Sequence, residues 1–118
     1  MNTNDLPPAA KLACLIETGA AANPDLTQGI ASLLEGKKAC AIGFAALAAG
    51  ASRKDLLSQR SAAVAKVFDV PYVDVLAPLG NQGTIYQRVI FLNDKGASLN
   101  DICRSLREGE LAKVPAYA

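Results

Sequence analysis

The thirteen-residue run ACAIGFAALAAGA, from Ala39 to Ala51, carries no charged or hydroxyl side chain, and it constrains the fold more than any other stretch. It falls well short of the roughly 20 apolar residues that a membrane-spanning helix needs. Its alanines favour helix because they lose no side-chain freedom there, and Cys40, Phe44 and Leu47 form its one stripe of larger side chains. A helix that is apolar on nearly every side is one surrounded by other helices. The chain is 51% hydrophobic, only 5% aromatic and has no Trp, so the rest of the core must also be built from Ala, Leu, Ile and Val. Residues 1–118 are therefore expected to form one compact all-α domain, a bundle of five or six short helices around this Ala-rich central one.

Proline and glycine mark where the other helices start and stop. Pro7 and Pro8 suit a first turn, where a missing N–H is harmless, and Leu12, Leu15 and Ile16 give that helix an apolar face up to Gly19. Asn23 and Pro24 break it. Leu26, Ile30, Leu33 and Leu34 trace a second helix that ends at Gly36. The central helix opens near Lys38 and stops at Gly50, and residues 53–68 read as one amphipathic helix. Pro71, Pro78, Gly80 and Gly83 make residues 69–83 irregular. A helix with Ile85, Val89 and Leu92 then stops at Gly96, and another follows with Leu99, Ile102, Cys103 and Leu106 as its buried stripe.

Two stretches rhyme: GASRKD, from Gly50 to Asp55, and GASLND, from Gly96 to Asp101. Each reads as the same corner. Gly ends a helix in the left-handed conformation, and Ser caps the next helix by accepting from the backbone three residues on, with Asp there to return the bond. The flanks do not match, since Leu47 aligns with Asn93, so capping chemistry rather than duplication accounts for the rhyme.

Residues that carry chemistry are sparse. There is no His. Cys14, Cys40 and Cys103 are odd in number, far apart and never in a C-x-x-C pair, which fits neither a disulfide framework nor a zinc site. They read as small buried hydrophobes in a reducing compartment, and no metal or cofactor is expected. The acids sit at helix ends, where dipole and capping roles account for them, so the chain reads as a non-enzyme. Cys40, just after Lys37 and Lys38, is the candidate for a reactive thiol, although its apolar neighbours favour an inert one. GNQG, from Gly80 to Gly83, precedes a helix and would in principle cradle an anion; it lacks the Lys and Ser/Thr of a nucleotide loop, and Thr84 is more simply a cap. The N-terminal MNTNDLPPAAK is no signal peptide, so a cytoplasmic location is expected.

Twelve basic residues stand against eleven acidic ones, which argues against a dedicated polyanion binder. The basic residues concentrate in the middle third, where Lys37, Lys38, Arg53, Lys54, Arg60 and Lys66 face only Asp55. The helix pair over 84–107 looks like the first two helices of a helix-turn-helix, although the GELAKVPAYA that follows is a poor recognition helix. A DNA-binding regulator using either region is the alternative function.

GKKACAIGFAALAAG, from Gly36 to Gly50, and VIFLNDKGASLNDICRSL, from Val89 to Leu106, resemble a loose group of small helical proteins of bacteria and their phages. That group has a Cys-Ala-x-Gly-Ala helix and a later Asn-Asp … Ser-x-x-x-Ile helix pair; here Phe44 replaces the second small residue. The resemblance implies a helical fold and no activity. On that pattern Asn93 and Asp94 sit at a helix C-terminus, where Asp is unfavourable for the dipole. A specific bond from one of them to the backbone around Ala39 and Cys40 is therefore expected.

By exclusion, the expected function is that of a non-catalytic accessory protein binding a protein partner or a second copy of itself, as a phage or bacterial inhibitor, immunity or regulatory factor does. Tyr72, Val73, Val75 and Leu76 are the expected contact residues. The competing expectation is that these four close the core.

Overall fold

Pro7 and Pro8 open the chain's first helix, α1 (Pro8–Ala22), with Pro at its first position as the sequence implies. The computed structural model describes residues 6–30, 32–58, 61–75 and 83–114, with Ser61 and Tyr72 described by their backbone alone. Helix α1 does not stop at Gly19. It runs on to Asn23, whose side-chain amide donates to the Gly19 carbonyl at 2.8 Å. Gly19 is instead a point of close approach, because a Cβ there would overlap the Phe44 carbonyl.

The second helix expected between Pro24 and Gly36 is absent from the described residues. Three two-residue strands take its place: β1 (Thr27–Gln28), β2 (Leu34–Glu35) and β3 (Lys38–Ala39). They form a sheet in the order β1-β3-β2, with β1 parallel and β2 antiparallel to β3. Leu34 faces Ala39 and Glu35 faces Lys38, which leaves Gly36 and Lys37 as a two-residue turn. Gly36 has φ of 59°, and glycine at the first central position is what a type II′ hairpin turn takes. Leu34 and Ala39 are buried while Glu35 and Lys38 are exposed, the in-out alternation of a strand and not the period of a helix. The fold is thus mostly helical with a small sheet, and the strictly all-α expectation is corrected on this point.

Helix α2 (Ala41–Ala48) starts at Ala41, later than the Lys38 of the sequence reading, because Lys38 and Ala39 are committed to the hairpin. Residues 41–46 are all buried, and α2 packs against α1, α4 and α5. Gly43 lies against the Leu33 carbonyl with no room for a Cβ. At Gly50 (φ 111°) the Ala51 N–H returns to the Ala46 carbonyl and the Gly50 N–H to that of Leu47, a Schellman motif. Ser52 then caps α3 (Arg53–Leu57) by accepting the Asp55 N–H at 3.1 Å.

The single helix expected over 53–68 is two, α3 and α4 (Ser61–Phe68). Ser58 ends the first by donating its hydroxyl back to the Lys54 carbonyl at 3.1 Å, a bond by which Ser competes with helix continuation. Asp69 leaves α4 in the left-handed region, with φ of 55°. A 3-10 turn, Tyr72–Val75, leads towards α5 (Ile85–Asp94), which opens on a reciprocal box between Thr84 and Gln87. The second corner repeats the first. Gly96 has φ of 95°, the Ala97 N–H bonds the Leu92 carbonyl, and Ser98 caps α6 (Leu99–Glu108). Helix α6 lies on α1, and a 3-10 turn, Glu110–Lys113, closes the described chain. No helix among the described residues is long and apolar enough to cross a membrane.

Candidate functional site

Asn93 is a polar side chain with no exposure at all. The last full turn of α5 carries it to the place where α2 begins. Its Oδ1 accepts the Ala41 N–H at 2.9 Å and the Gln28 side-chain amide, also at 2.9 Å, while its Nδ2 donates to the Gly29 carbonyl at 2.8 Å. Gln28 Nε2 makes a second bond, to the Ala97 carbonyl at 2.8 Å. A buried polar group left unpaired is costly, and a satisfied network specifies one arrangement. Here it locks β1, the first turn of α2 and the second Gly-Ala-Ser corner into a single junction. The bond expected from Asn93 or Asp94 is made by Asn93, and it lands on Ala41. At the same helix start Cys40 accepts the Gly43 N–H on its sulfur at 3.4 Å.

The junction supports an open groove of about 460 Å³ lined by Gln28, Gly29, Ile30, Ser32, Glu35 and Lys38. Ser32 donates to Glu35 at 3.0 Å, and Glu35 is the cross-strand neighbour of Lys38. Gly29 leaves space for the Lys38 stem, which a Cβ would meet at 2.7 Å. Ile30 stands 60% exposed beside these groups. The groove thus gathers an amide, a hydroxyl, a carboxylate, an ammonium and one large apolar side chain. Among the described residues no group of three or more His, Cys, Asp or Glu is placed to hold a metal ion. The helical spacing of Leu26, Ile30, Leu33 and Leu34 conceals the groove in the sequence; the signal for it is Leu-Glu-Gly-Lys-Lys-Ala, a hairpin alternation around a glycine.

The residues expected to meet a partner are split. Val73 is 58% exposed, whereas Val75 is buried in the core; Leu76 and the Tyr72 side chain lie outside the described residues. The turn that holds Val73 is anchored to α5. The Thr84 hydroxyl donates to the Asp74 carbonyl at 2.6 Å and Gln87 donates to the Val73 carbonyl at 3.0 Å. Thr84 is thus the helix cap that the sequence implies, and of GNQG only Gly83 is described.

The basic residues of the middle third are spread over several elements. Lys37 and Lys38 sit on the hairpin, Lys54 on α3 and Lys66 on α4, all exposed, while Arg60 lies outside the described residues. Arg53 grips Asp25 with two bonds of 2.8 Å and Asn23 with one of 2.7 Å. That grip holds the Asp25 carboxyl at about 2, with Lys37 adding to the effect. On the helix pair α5–α6, Arg104 pairs with Asp101 and Arg107 with Glu17, and a four-residue 3-10 turn follows where a recognition helix would lie.

The thiols differ from one another. Burial pushes the Cys40 thiol up, the direction of an inert group. Cys103 is buried too, but Cys14 is only half-buried and receives a bond from Arg107 at 3.5 Å, so the expectation of three buried hydrophobes holds for two. Comparison of the chain with family models, with curated proteins and with solved structures gave no match.

Proposed function

We propose that this chain is a non-catalytic accessory protein of a bacterium or phage, acting in the cytoplasm as an inhibitor, immunity or regulatory factor, and that it recognises a protein partner through the groove beside the three-stranded sheet. The observation that carries this reading is Ile30, left in water at 60% exposure next to Gly29, whose carbonyl accepts from Asn93, and Gln28, whose side-chain amide donates to it. A preorganised surface loses little entropy on binding, and a large apolar side chain among polar groups supplies the anchor that such a surface needs. Glu35 and Lys38 add one charge of each sign. The resemblance to small bacterial and phage proteins supports the same region, because its two motifs contribute Ala41 and Asn93 to the junction.

The test uses tagged protein passed through a lysate of the native host at low and at moderate salt. A stoichiometric protein should be retained at both salts, lost with Ile30→Asp and kept with Val73→Asp, while the thermal midpoint of both variants stays at that of the parent. Retention that survives Ile30→Asp but fails with Val73→Asp would move the site to the 3-10 turn and overturn the groove. Nucleic acid released as the salt rises would instead favour the regulator reading, through Lys37, Lys38, Lys54 and Lys66.

A further inference from the structure

Cys14 and Cys103 are separated by most of the chain and lie on α1 and α6, two helices packed on one another. The buried Cys103 thiol donates to the Ala13 carbonyl at 3.6 Å. That oxygen belongs to the peptide bond leading into Cys14, so the two cysteines are neighbours across the helix contact. One turn beyond Cys103, Arg107 reaches over to donate to the Cys14 sulfur at 3.5 Å and to Glu17 at 2.8 Å. Cys14 lies near enough to add a small upward contribution to the Cys103 thiol, after burial and Glu17. Cys14 is the accessible member, and Cys40 is occupied in capping α2.

We propose that Cys14 and Cys103 form a redox-responsive pair, in which a hydroperoxide oxidises Cys14 and Cys103 resolves it to an intramolecular disulfide joining α1 to α6. With hydrogen peroxide, the Cys14 sulfur attacks the O–O bond, giving the Cys14 sulfenic acid and one water. The Cys103 sulfur then attacks the oxidised sulfur: the S–S bond forms, the S–O bond breaks, and the oxygen leaves with the Cys103 proton as a second water. Two thiols have supplied two electrons and two protons to one peroxide, and a dithiol reductant reverses the change by exchange. Burial holds the Cys103 thiol up at about 11, which keeps its thiolate fraction small and slows the resolving step. The sequence conceals this pair because its members lie on the first and the last α-helix, with no short spacing to announce them.

The full chain, reduced and then treated with an equivalent of hydrogen peroxide, is alkylated and mapped by mass spectrometry without reductant. The expected result is a loss of about 2 Da, the two thiol hydrogens, with Cys40 alone remaining alkylatable on unfolding and one cross-linked peptide pair containing Cys14 and Cys103. Dithiothreitol should remove the cross-link. Cys103→Ala should stop at a Cys14 sulfenic acid that dimedone traps, and Cys14→Ser, which exchanges sulfur for oxygen at a half-buried position, should form no bridge. Oxygen added to Cys14 of the parent chain with no bridge, an unreacted pair, or a bridge through Cys40 or to a second chain would overturn the proposal.

Discussion

Asn93 is the residue on which two backbone groups and one side chain depend. Replacing it with Ala removes the partners of the Ala41 N–H and the Gly29 carbonyl and one of the two bonds of the Gln28 amide. Each buried orphan costs on the order of 1–3 kcal/mol, so Asn93→Ala should lower the unfolding free energy by about 3 kcal/mol in urea titration. Asn93→Asp keeps both acceptor bonds but sets a carboxylate against the Gly29 carbonyl, and its loss should equal or exceed that of Ala. A change below about 1 kcal/mol in both variants would mean that the junction is not held by this side chain. The role of Asn93 was legible in part: an Asn-Asp pair at a helix C-terminus is out of place unless one member bonds elsewhere. Gln28 was not legible, because no local pattern announces a partner 65 residues away.

Among the elements, the helix corners were the most readable and the sheet the least. Gly50 and Gly96 announced themselves because a Schellman turn needs a residue at positive φ and the following Ser is an efficient cap, both short-range requirements. Residues 26–34 misled because Leu26, Ile30, Leu33 and Leu34 fall at helical spacing, yet Leu26 and Leu34 are buried while Ile30 is exposed. The glycines separate two kinds of constraint that look alike in sequence. At Gly50 and Gly96 a Cβ would meet nothing within 4 Å, so Gly50→Ala and Gly96→Ala should each cost only the strain of positive φ, about 1–2 kcal/mol. At Gly43 the Leu33 carbonyl occupies the space, and Gly43→Ala must push α2 away from that backbone at a cost of about 2–3 kcal/mol. Thermal melts of the three variants should therefore rank Gly43→Ala well below the other two. Equal losses would mean that α2 has slack against Leu33.

For the whole molecule, ionisable groups at opposite ends of the pH scale set a window of stability. Glu17 and Asp25 are held below their ordinary values of 4.5 and 3.8, chiefly by their bonds to Arg107 and Arg53. A depressed carboxyl contributes stability that is present above its unfolded pKa and is lost as pH falls through the folded one, here down to about 2 for Asp25. Cys40 and Cys103 shift the other way, raised above their ordinary 9.0 by burial. Their contribution is complete below pH 9.0 and is lost as pH rises towards about 11, the folded value of Cys103. The thermal midpoint of the reduced protein should thus be flat from roughly pH 5 to pH 8.5 and fall on both sides. The acid limb belongs to pairs that tie α1 to α6 and the loop before β1 to α3, and the paired change Glu17→Gln with Asp25→Asn should flatten it while leaving the alkaline limb in place. Cys103→Ala should leave the acid limb and make the alkaline limb shallower, because it removes one of the two thiols that the unfolded chain ionises before the folded chain can. An alkaline limb unmoved by Cys103→Ala would assign that loss to Cys40, the other thiol raised by burial, whereas its shallowing would mean that the packed α1–α6 contact around Cys103 limits the fold's tolerance of base.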